Sequence, residues 1–353
     1  MRISKFKVCV SLLLSALMLF SLTACAGNKK EEINLMTWAD FIPREIISQF
    51  EEETGIKVNY KDVTSNEDMQ ELLTASPDQY DLAVVTDYMV EILRQNGNIG
   101  KLDKDKLPNF GNINPAFQSK YYDANNEYSI PYAVSTAFLL VNQKAVSELG
   151  ADPIKSYADL WQEELKNNIV VIDWSVEIMG LVLKTLGYEY NETDPAKVAQ
   201  ARDKLLALRH NIVRFETNTP EDSLISGEAV AGFMYSNQAL KGIAASNDLE
   251  AVFPAEGFPM YIDSFVMSAQ SPNPEATYKF LNYVMSGEVS ARISEITKFT
   301  NTNSKSAEFL SEDFLGNPIL NMSAEVASRA SFYINVDAVL DEYSQIYDEF
   351  KLK

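Results

Sequence analysis

An aromatic ring and a carboxylate two residues apart are the side chains of this sequence whose spacing best suits chemistry. Tyr261 and Asp263 fall in the stretch 257–267, which alternates aromatic, apolar and acidic residues as a strand does. Successive strand side chains point to opposite faces, so these two share a face. A cationic ligand would gain Coulomb attraction from the acid and a favourable quadrupole from the ring. The alternative is an aromatic half-buried at a strand end and an aspartate that caps the next turn.

Further rings and acids follow predicted strands in both halves of the chain. In open α/β sheets, ligands bind beyond the carboxyl ends of the strands, where such residues would meet. The residues in these positions are Trp38, Asp40, Phe41, Tyr88, Asp173, Trp174, Glu177 and Tyr235. Each alone is explained by core packing or by helix capping, since acids are favoured in first turns. Their recurrence favours a ligand site.

Strand-like and helix-like segments alternate along the chain, which predicts an α/β fold with a mostly parallel sheet and helices on its faces. The extended segments 128–142 and 257–267 are candidate crossings between two lobes. We therefore expect a two-lobed molecule with two hinge crossings. The expected division is 33–134 plus 262–306 for one lobe and 135–261 plus 307–353 for the other.

The first 24 residues are typical of a secretory signal peptide. A basic head containing Arg2, Lys5 and Lys7 precedes an apolar run, and small residues lead up to Cys25. The cysteine at the cleavage point predicts a bacterial lipoprotein in which Cys25 is acylated, with 25–32 as a polar tether. A plain secretory signal or a membrane anchor is the alternative, although the apolar run is short for a stable span.

Composition excludes several function classes. The formal net charge is −20, which argues against a nucleic-acid partner. Cys9 would leave with the signal, so Cys25 would be the only cysteine of the mature chain and no internal disulfide is expected. The single histidine, His210, leaves little basis for histidine-dependent hydrolysis or a histidine-rich metal site. We expect no metal and no cofactor.

Six segments resemble one family of proteins. They are 38–43 (WADFIP), 50–58 (FEEETGIKV), 80–85 (YDLAVV), 128–132 (YSIPY), 158–161 (ADLW) and 261–264 (YIDS). Over nearly the whole mature length, the chain resembles the substrate-binding lipoproteins of bacterial spermidine/putrescine ABC transporters. The resemblance implies the type II periplasmic-binding-protein fold, with two α/β lobes that close around a ligand at a hinge.

The resemblance also implies roles for individual residues. It places rings around the ligand at Trp38, Phe41, Tyr88, Tyr235, Tyr261 and Phe299. It makes Asp40, Glu177 and Asp263 the carboxylates that meet amine nitrogens, and Thr217 a hydroxyl partner. This chain departs from the family at Trp174, where spermidine binders usually carry an acid, and at Tyr333, where they carry glutamine. Asp173 could replace the missing acid, or the ligand could have one fewer primary amine or be a bulkier or methylated cation.

The function predicted on these grounds is capture of a di- or polyamine, putrescine or spermidine, between the lobes. The protein would be a lipid-anchored, extracytoplasmic monomer that delivers its ligand to ABC permease subunits, without covalent chemistry. One alternative keeps the fold and binds another organic cation, with Trp174 and Tyr333 in an aromatic cage for a quaternary ammonium. An alternative from another class is a hydrolase that uses Glu177 and Asp263 as a carboxylate pair.

Overall fold

The computed structural model describes residues 31–353 apart from 40, 333, 335 and 337. The predicted signal peptide and Cys25 therefore lie outside the described residues, as does most of the tether. The strands are β1 (Glu32–Thr37), β2 (Lys57–Asp62), β3 (Leu82–Thr86), β4 (Ser129–Val141), β5 (Ile169–Val171), β6 (Ile212–Phe215), β7 (Ala231–Tyr235), β8 (Glu250–Val252), β9 (Phe258–Met267), β10 (Thr300–Asn301) and β11 (Ala330–Phe332).

Helices follow most of the strands. They are α1 (Arg44–Thr54), α2 (Asn66–Ala75), α3 (Asp87–Gln95), α4 (Gln143–Glu148), α5 (Ser175–Thr185), α6 (Pro195–Leu208), α7 (Glu221–Ile225), α8 (Ser236–Ala245), α9 (Pro274–Val284), α10 (Gly287–Thr297), α11 (Glu312–Gly316), α12 (Ala324–Ala327) and α13 (Leu340–Leu352). Short 3₁₀ turns occupy Lys104–Lys106, Pro108–Asn112, Pro115–Phe117, Tyr157–Trp161, Glu163–Leu165, Arg209–Asn211 and Ser304–Glu308. None of these described helices is both long and apolar enough to cross a bilayer.

The strands form one path in the order β2-β1-β3-β9-β4-β7-β5-β6. Strand β4 joins its two halves, because Ser129–Thr136 pairs with β9 whereas Ala137–Val141 pairs with β7. The pairings β1–β2, β1–β3, β5–β6 and β5–β7 are parallel, while the pairings β3–β9, β9–β4 and β4–β7 are antiparallel. The long strand predicted over 128–142 is therefore present, and it passes from one half of the sheet to the other.

Helices cover both faces of the sheet, as strand β3 illustrates. All five of its residues are buried. Leu82 and Val84 pack in the cluster that contains α1 and α9, and Ala83 and Val85 pack in the cluster that contains α2 and α3. A continuous apolar run is what a strand buried on both faces requires.

The structure also contains strands that the sequence pattern does not predict. Strand β6 is at the end of the sheet path, and its Val213 and Arg214 are exposed, so it lacks a continuous apolar pattern. Strands β10 and β11 lie in the mainly helical region 274–353, and each pairs with one of the long strands. Short strands of this kind depend on their partners rather than on local sequence.

Candidate functional site

A cavity of about 410 Å³ lies where the carboxyl ends of the strands meet β4 and β9. Both halves of the sheet contribute to it. The lining residues are Trp38, Phe41, Thr64, Ser65, Asn66, Glu67, Thr86, Tyr88, Ser135, Trp174, Thr217, Tyr235, Asn237, Gln238, Tyr261, Asp263 and Phe299. These described lining residues include two carboxylates and no lysine, arginine or histidine. The described lining of the cavity therefore has acidic side chains and no cationic side chain to pair with them.

Three rings in mutual contact form one end of the cavity. Trp38 and Phe41 follow β1 and meet edge to face at 5.0 Å between ring centroids. Phe299, which follows α10, lies 4.8 Å from Phe41. Behind them, the Tyr132 hydroxyl donates to the Phe41 carbonyl at 2.9 Å, so the loop after β1 is tied to the long strand β4. Rings fixed in this way give a flat apolar surface and a cation–π face.

The other half of the sheet contributes Trp174, Thr217 and Tyr235, which follow β5, β6 and β7. Gln238 connects two of these positions. Its side-chain oxygen accepts from the Tyr235 backbone N–H at 3.0 Å, and its amide donates to the Thr217 carbonyl at 2.6 Å. The Thr217 hydroxyl in turn accepts from the Asp173 backbone N–H at 3.1 Å. Hydrogen bonds between neighbouring strand ends thus hold this side of the cavity in register.

Asp263 lines the cavity from β9, on the face it shares with Tyr261. It is buried, and the Thr86 hydroxyl donates to it at 2.8 Å. Burial raises the pKa of Asp263 to about 7, and the hydrogen bond from Thr86 only partly opposes that rise. A cation placed against this carboxylate would favour its charged form. Asp263 is therefore suited to bind an ammonium group.

Glu177 does not line the cavity. It lies in the first turn of α5, fully buried, and accepts hydrogen bonds from the hydroxyls of Tyr190 and Tyr261. The Tyr235 hydroxyl is also bonded to it. We call Glu177 with Tyr190, Tyr235 and Tyr261 the tyrosine cluster. Burial raises the pKa of Glu177 to about 7, against the lowering effect of these three hydroxyls.

Local sequence explains how the tyrosine cluster closes. Gly180 is one turn after Glu177 in α5, and a Cβ at this position would come within 2.3 Å of the Tyr190 ring. The missing side chain leaves room for that ring to lie on the helix, with its hydroxyl at Glu177. On the cavity side, the rings of Tyr235 and Tyr261 meet edge to face at 6.3 Å. Their cavity-facing rings therefore separate Glu177 from the cavity.

A third buried carboxyl group, Asp87, lies behind the cavity at the start of α3. It accepts from the Tyr88 backbone N–H at 2.8 Å and from that of Ile262 at 3.5 Å. Burial raises the pKa of Asp87 well above its usual value, and the neighbouring Asp263 raises it further. Asp87 links the start of α3 to β9, where Asp263 is located.

Of the twelve ligand-binding residues predicted from the sequence, the structure places nine along the cavity. These are Trp38, Phe41, Tyr88, Trp174, Thr217, Tyr235, Tyr261, Asp263 and Phe299. Glu177 is behind the cavity wall, and Asp40 and Tyr333 lie outside the described residues. The binding roles of all twelve residues stay predictions. Asp173 is an exposed residue paired with Tyr347 and Lys351 at 3.0 Å each, and it is not among the lining residues.

The cavity also contains residues that the sequence analysis does not single out. They are Thr64, Ser65, Asn66, Glu67, Thr86, Ser135, Asn237 and Gln238. The segment Thr64–Glu67 follows β2 and opens α2, so the rule that favours strand ends also covers it. In the described part of the chain, no group of three or more His, Cys, Asp or Glu side chains is arranged to hold a metal ion.

A two-lobed cleft of rings and carboxylates at strand ends is the architecture of a solute-binding protein. Residues 45–321 match the bacterial extracellular solute-binding proteins, and the chain belongs to that family. The chain is 31% identical to the spermidine/putrescine-binding periplasmic protein of Salmonella typhimurium, over 96% of this chain and 97% of the relative. It is 30% identical to a putrescine-binding periplasmic protein of Escherichia coli, over 90% of each chain.

The fold has a solved counterpart. The spermidine/putrescine ABC transporter substrate-binding protein of Streptococcus pneumoniae superposes with a TM-score of 0.82, at 28% identity, over 91% of this chain and 99% of its own. The predicted fold class is thereby confirmed, as is the resemblance carried by the six sequence segments. The family consists of substrate-binding components of transport systems, whose periplasmic relatives lie outside the cytoplasm.

Proposed function

We propose that this protein captures a di- or polyamine, putrescine or spermidine, in its ring-lined cavity and delivers it to an ABC permease. The observation that carries the proposal is a cavity with carboxylates and aromatic rings but, among its described lining residues, no cationic side chain. The names of the relatives from Salmonella typhimurium and Escherichia coli support this ligand class.

A linear amine matches the cavity chemically. Its methylene groups pack on flat rings such as Trp38 and Phe41, and its ammonium groups gain cation–π faces and charge-assisted hydrogen bonds. Among the described lining residues, Asp263 has the buried carboxylate. A buried charge is stable only when it is paired, so closure around an amine requires one carboxylate for each buried ammonium.

Closure between two lobes is part of the proposal. The lobes would be 33–134 plus 262–306 and 135–261 plus 307–353. The exchange of β4 partners between Thr136 and Ala137 supports a boundary at that point. Binding would favour the closed state by the difference between the ligand's affinities for the two states.

The cellular context extends the proposal. Acylation of Cys25 would anchor a monomeric protein to the membrane on the extracytoplasmic side, in reach of the permease subunits. The protein would perform no catalysis. A hydrolytic carboxylate pair is not supported, because Glu177 is separated from the cavity by tyrosine rings whereas Asp263 lines it.

Titration calorimetry of the purified protein against putrescine, cadaverine, spermidine, spermine and choline tests the ligand class. We expect saturable binding of a linear amine, and Asp263→Asn should weaken that binding at least about thirtyfold, because it removes one partner of a buried charge pair. The exposed Asp248 provides the matched control, since Asp248→Asn changes the same group away from the cavity.

Two results would contradict the proposal. Silence with every linear amine and heat with choline would assign the site to a quaternary ammonium, for which the Trp174 ring in the cavity wall is the favourable feature. Silence with all five compounds would exclude the amine class altogether.

A further inference from the structure

Glu67 places a second carboxylate in the cavity lining. It is the second residue of α2 and is exposed, unlike the buried Asp263. The Tyr88 hydroxyl donates to the Glu67 carboxylate at 2.9 Å. Glu67 is therefore not a freely moving surface acid, because a buried tyrosine of the cavity wall holds it.

A continuous set of hydrogen bonds connects Glu67 to Asp263. The Asn66 side-chain amide donates to the Thr86 hydroxyl at 3.2 Å and to the Tyr88 hydroxyl at 3.1 Å. Thr86 donates onward to Asp263 at 2.8 Å, as Tyr88 does to Glu67. We call these five residues the polar wall. Its three connecting side chains, Asn66, Thr86 and Tyr88, are all buried.

The orientation of Asn66 sets the direction of every hydrogen bond in the polar wall. Its side-chain oxygen accepts from the Thr86 backbone N–H at 3.1 Å, which fixes which end of the amide carries the nitrogen. That nitrogen donates to both hydroxyl oxygens, so each hydroxyl proton is directed at a carboxylate. The Thr86 donor favours the charged form of Asp263. The wall thus orients two acceptors toward one cavity.

The wall also limits the distance between the two carboxylates. Each of its four hydrogen bonds shares an atom with the next. The distance between the Asp263 and Glu67 oxygens therefore cannot exceed the summed length of these four hydrogen bonds. A short aliphatic diamine, with a nitrogen hydrogen-bonded at each end, spans a distance of this order. A single ammonium group would use only one of the two acceptors.

We propose that Glu67 is a specificity-determining residue that binds the second ammonium group of a linear amine whose first ammonium lies against Asp263. The inference rests on the proposed function and deepens it by assigning a residue to the second charged nitrogen of the amine. Because Glu67 is exposed, the second ammonium stays at the solvent side of the cavity, and a longer polyamine can continue outward from it.

The test compares two ligands of equal length on three proteins. The ligands are 1,4-diaminobutane, which has two ammonium groups, and 4-amino-1-butanol, which has one. Calorimetry measures the binding of diaminobutane directly, and the affinity for aminobutanol is measured from its competition with diaminobutane. The proteins are the wild type, Glu67→Gln, and Glu71→Gln, a matched change of an exposed acid one turn further along α2 that is not among the lining residues. We expect Glu67→Gln to weaken diaminobutane binding about tenfold, the loss of one charge-assisted hydrogen bond.

The ligand comparison separates the possible outcomes. Glu67→Gln should leave the affinity for aminobutanol within about twofold, and Glu71→Gln should change neither ligand by more than that. Unchanged diaminobutane affinity in Glu67→Gln, or equal weakening of both ligands, overturns the role of Glu67. Failure of the wild type to bind diaminobutane or any other linear amine overturns instead the proposed function itself.

Discussion

The polar wall and the tyrosine cluster each contain a buried carboxyl group, but the two groups are presented differently. Burial raises the pKa of Asp263 and of Glu177 to about 7. Asp263 accepts from Thr86 and faces the cavity, whereas Glu177 accepts from three tyrosine hydroxyls and has no exposed surface. The pKa therefore does not distinguish the acid that lines the cavity from the acid enclosed behind it. Access to the cavity does.

The difference assigns separate tasks to the two regions. Around Glu177, three tyrosine hydroxyls of the protein donate to the carboxylate, which thereby holds the rings of Tyr235 and Tyr261 in the cavity wall. At Asp263, the described residues provide the hydroxyl of Thr86, and acceptor capacity is left for a ligand. The tyrosine cluster thus shapes the cavity, and the polar wall supplies its charge.

Removing Glu177 should have the largest effect, and the effect should be on stability. Glu177→Ala leaves the hydroxyls of Tyr190, Tyr235 and Tyr261 without their acceptor, and we expect it to lower the free energy of unfolding by roughly 3–5 kcal/mol. Glu67→Ala, which removes an exposed acid of the polar wall, should cost less than about 0.5 kcal/mol. Urea denaturation of the ligand-free protein at neutral pH measures both.

A conservative variant tests the reason for that effect. Glu177→Gln retains the side-chain volume and one acceptor oxygen, so it should lower the free energy of unfolding by much less than Glu177→Ala does. If Glu177→Ala costs less than about 1 kcal/mol, the tyrosine hydroxyls do not depend on this acceptor, and the contrast between the two regions disappears.

The sequence predicts a helix or strand well where the element has its own local signals, and poorly where pairing with a neighbouring strand determines the structure. Helix α6, Pro195–Leu208, can be recognised locally, because it has a proline in its first turn. Strand β6 escapes prediction, because its exposed Arg214 pairs with Glu228 and breaks the apolar pattern. Edge strands of this type are defined by their neighbour more than by their own residues.

The same limit applies to Glu67, which the sequence does not single out but which lines the cavity, and to Glu177, which is predicted to line the cavity but lies behind its wall. Near Glu67, Ser65 caps the helix by accepting from the Asp68 backbone N–H, so the local sequence explains the acids there without a ligand. The position of this helix start beside β9 follows only from the order of the strands in the sheet. Glu177 has the first-turn position of a ligand-binding acid. Its enclosure depends on Tyr190 and Tyr261, and Tyr261 comes from a strand 84 residues away. Long-range contacts of this kind leave no local pattern.

Neutralising Asp263 should stabilise the ligand-free protein above neutral pH. The folded-state pKa of about 7 exceeds the ordinary value of 3.8, so the unfolded chain binds fewer protons than the folded one between these values. The free energy of unfolding therefore falls as pH rises through this window. Asp263→Asn removes the fall, and we expect it to be more stable than the wild type by up to about 4 kcal/mol at about pH 8 and nearly equal to it at about pH 4.

Thermal or urea unfolding at both pH values, with amines removed by dialysis, measures that difference. Asp248→Asn is the control, because it makes the same change at an exposed residue that is not among the lining residues of the cavity. A destabilised Asp263→Asn at about pH 8 would mean that the charged carboxylate supports the fold rather than the ligand.

The smallest expected effect is a pH dependence of amine binding. In the ligand-free protein the pKa of Asp263 is about 7, and contact with an ammonium group lowers it, so binding below neutral pH must release a proton. The amine itself stays protonated over this range, since alkylammonium groups ionise near pH 10. Affinity should therefore fall about tenfold for each pH unit below about 7 and level off above it.

Calorimetry in buffers of different ionisation enthalpy counts the released protons directly. Asp87, next to Asp263, and Glu177, behind the tyrosine rings, are the other buried carboxyl groups near the cavity whose pKa is raised. If Asp263 alone contacts the amine among these three, one proton is released and Asp263→Asn abolishes the pH slope. A slope that persists in Asp263→Asn and disappears in Glu177→Gln would move the charge contact to the tyrosine cluster and reverse the assignment of tasks between the two regions.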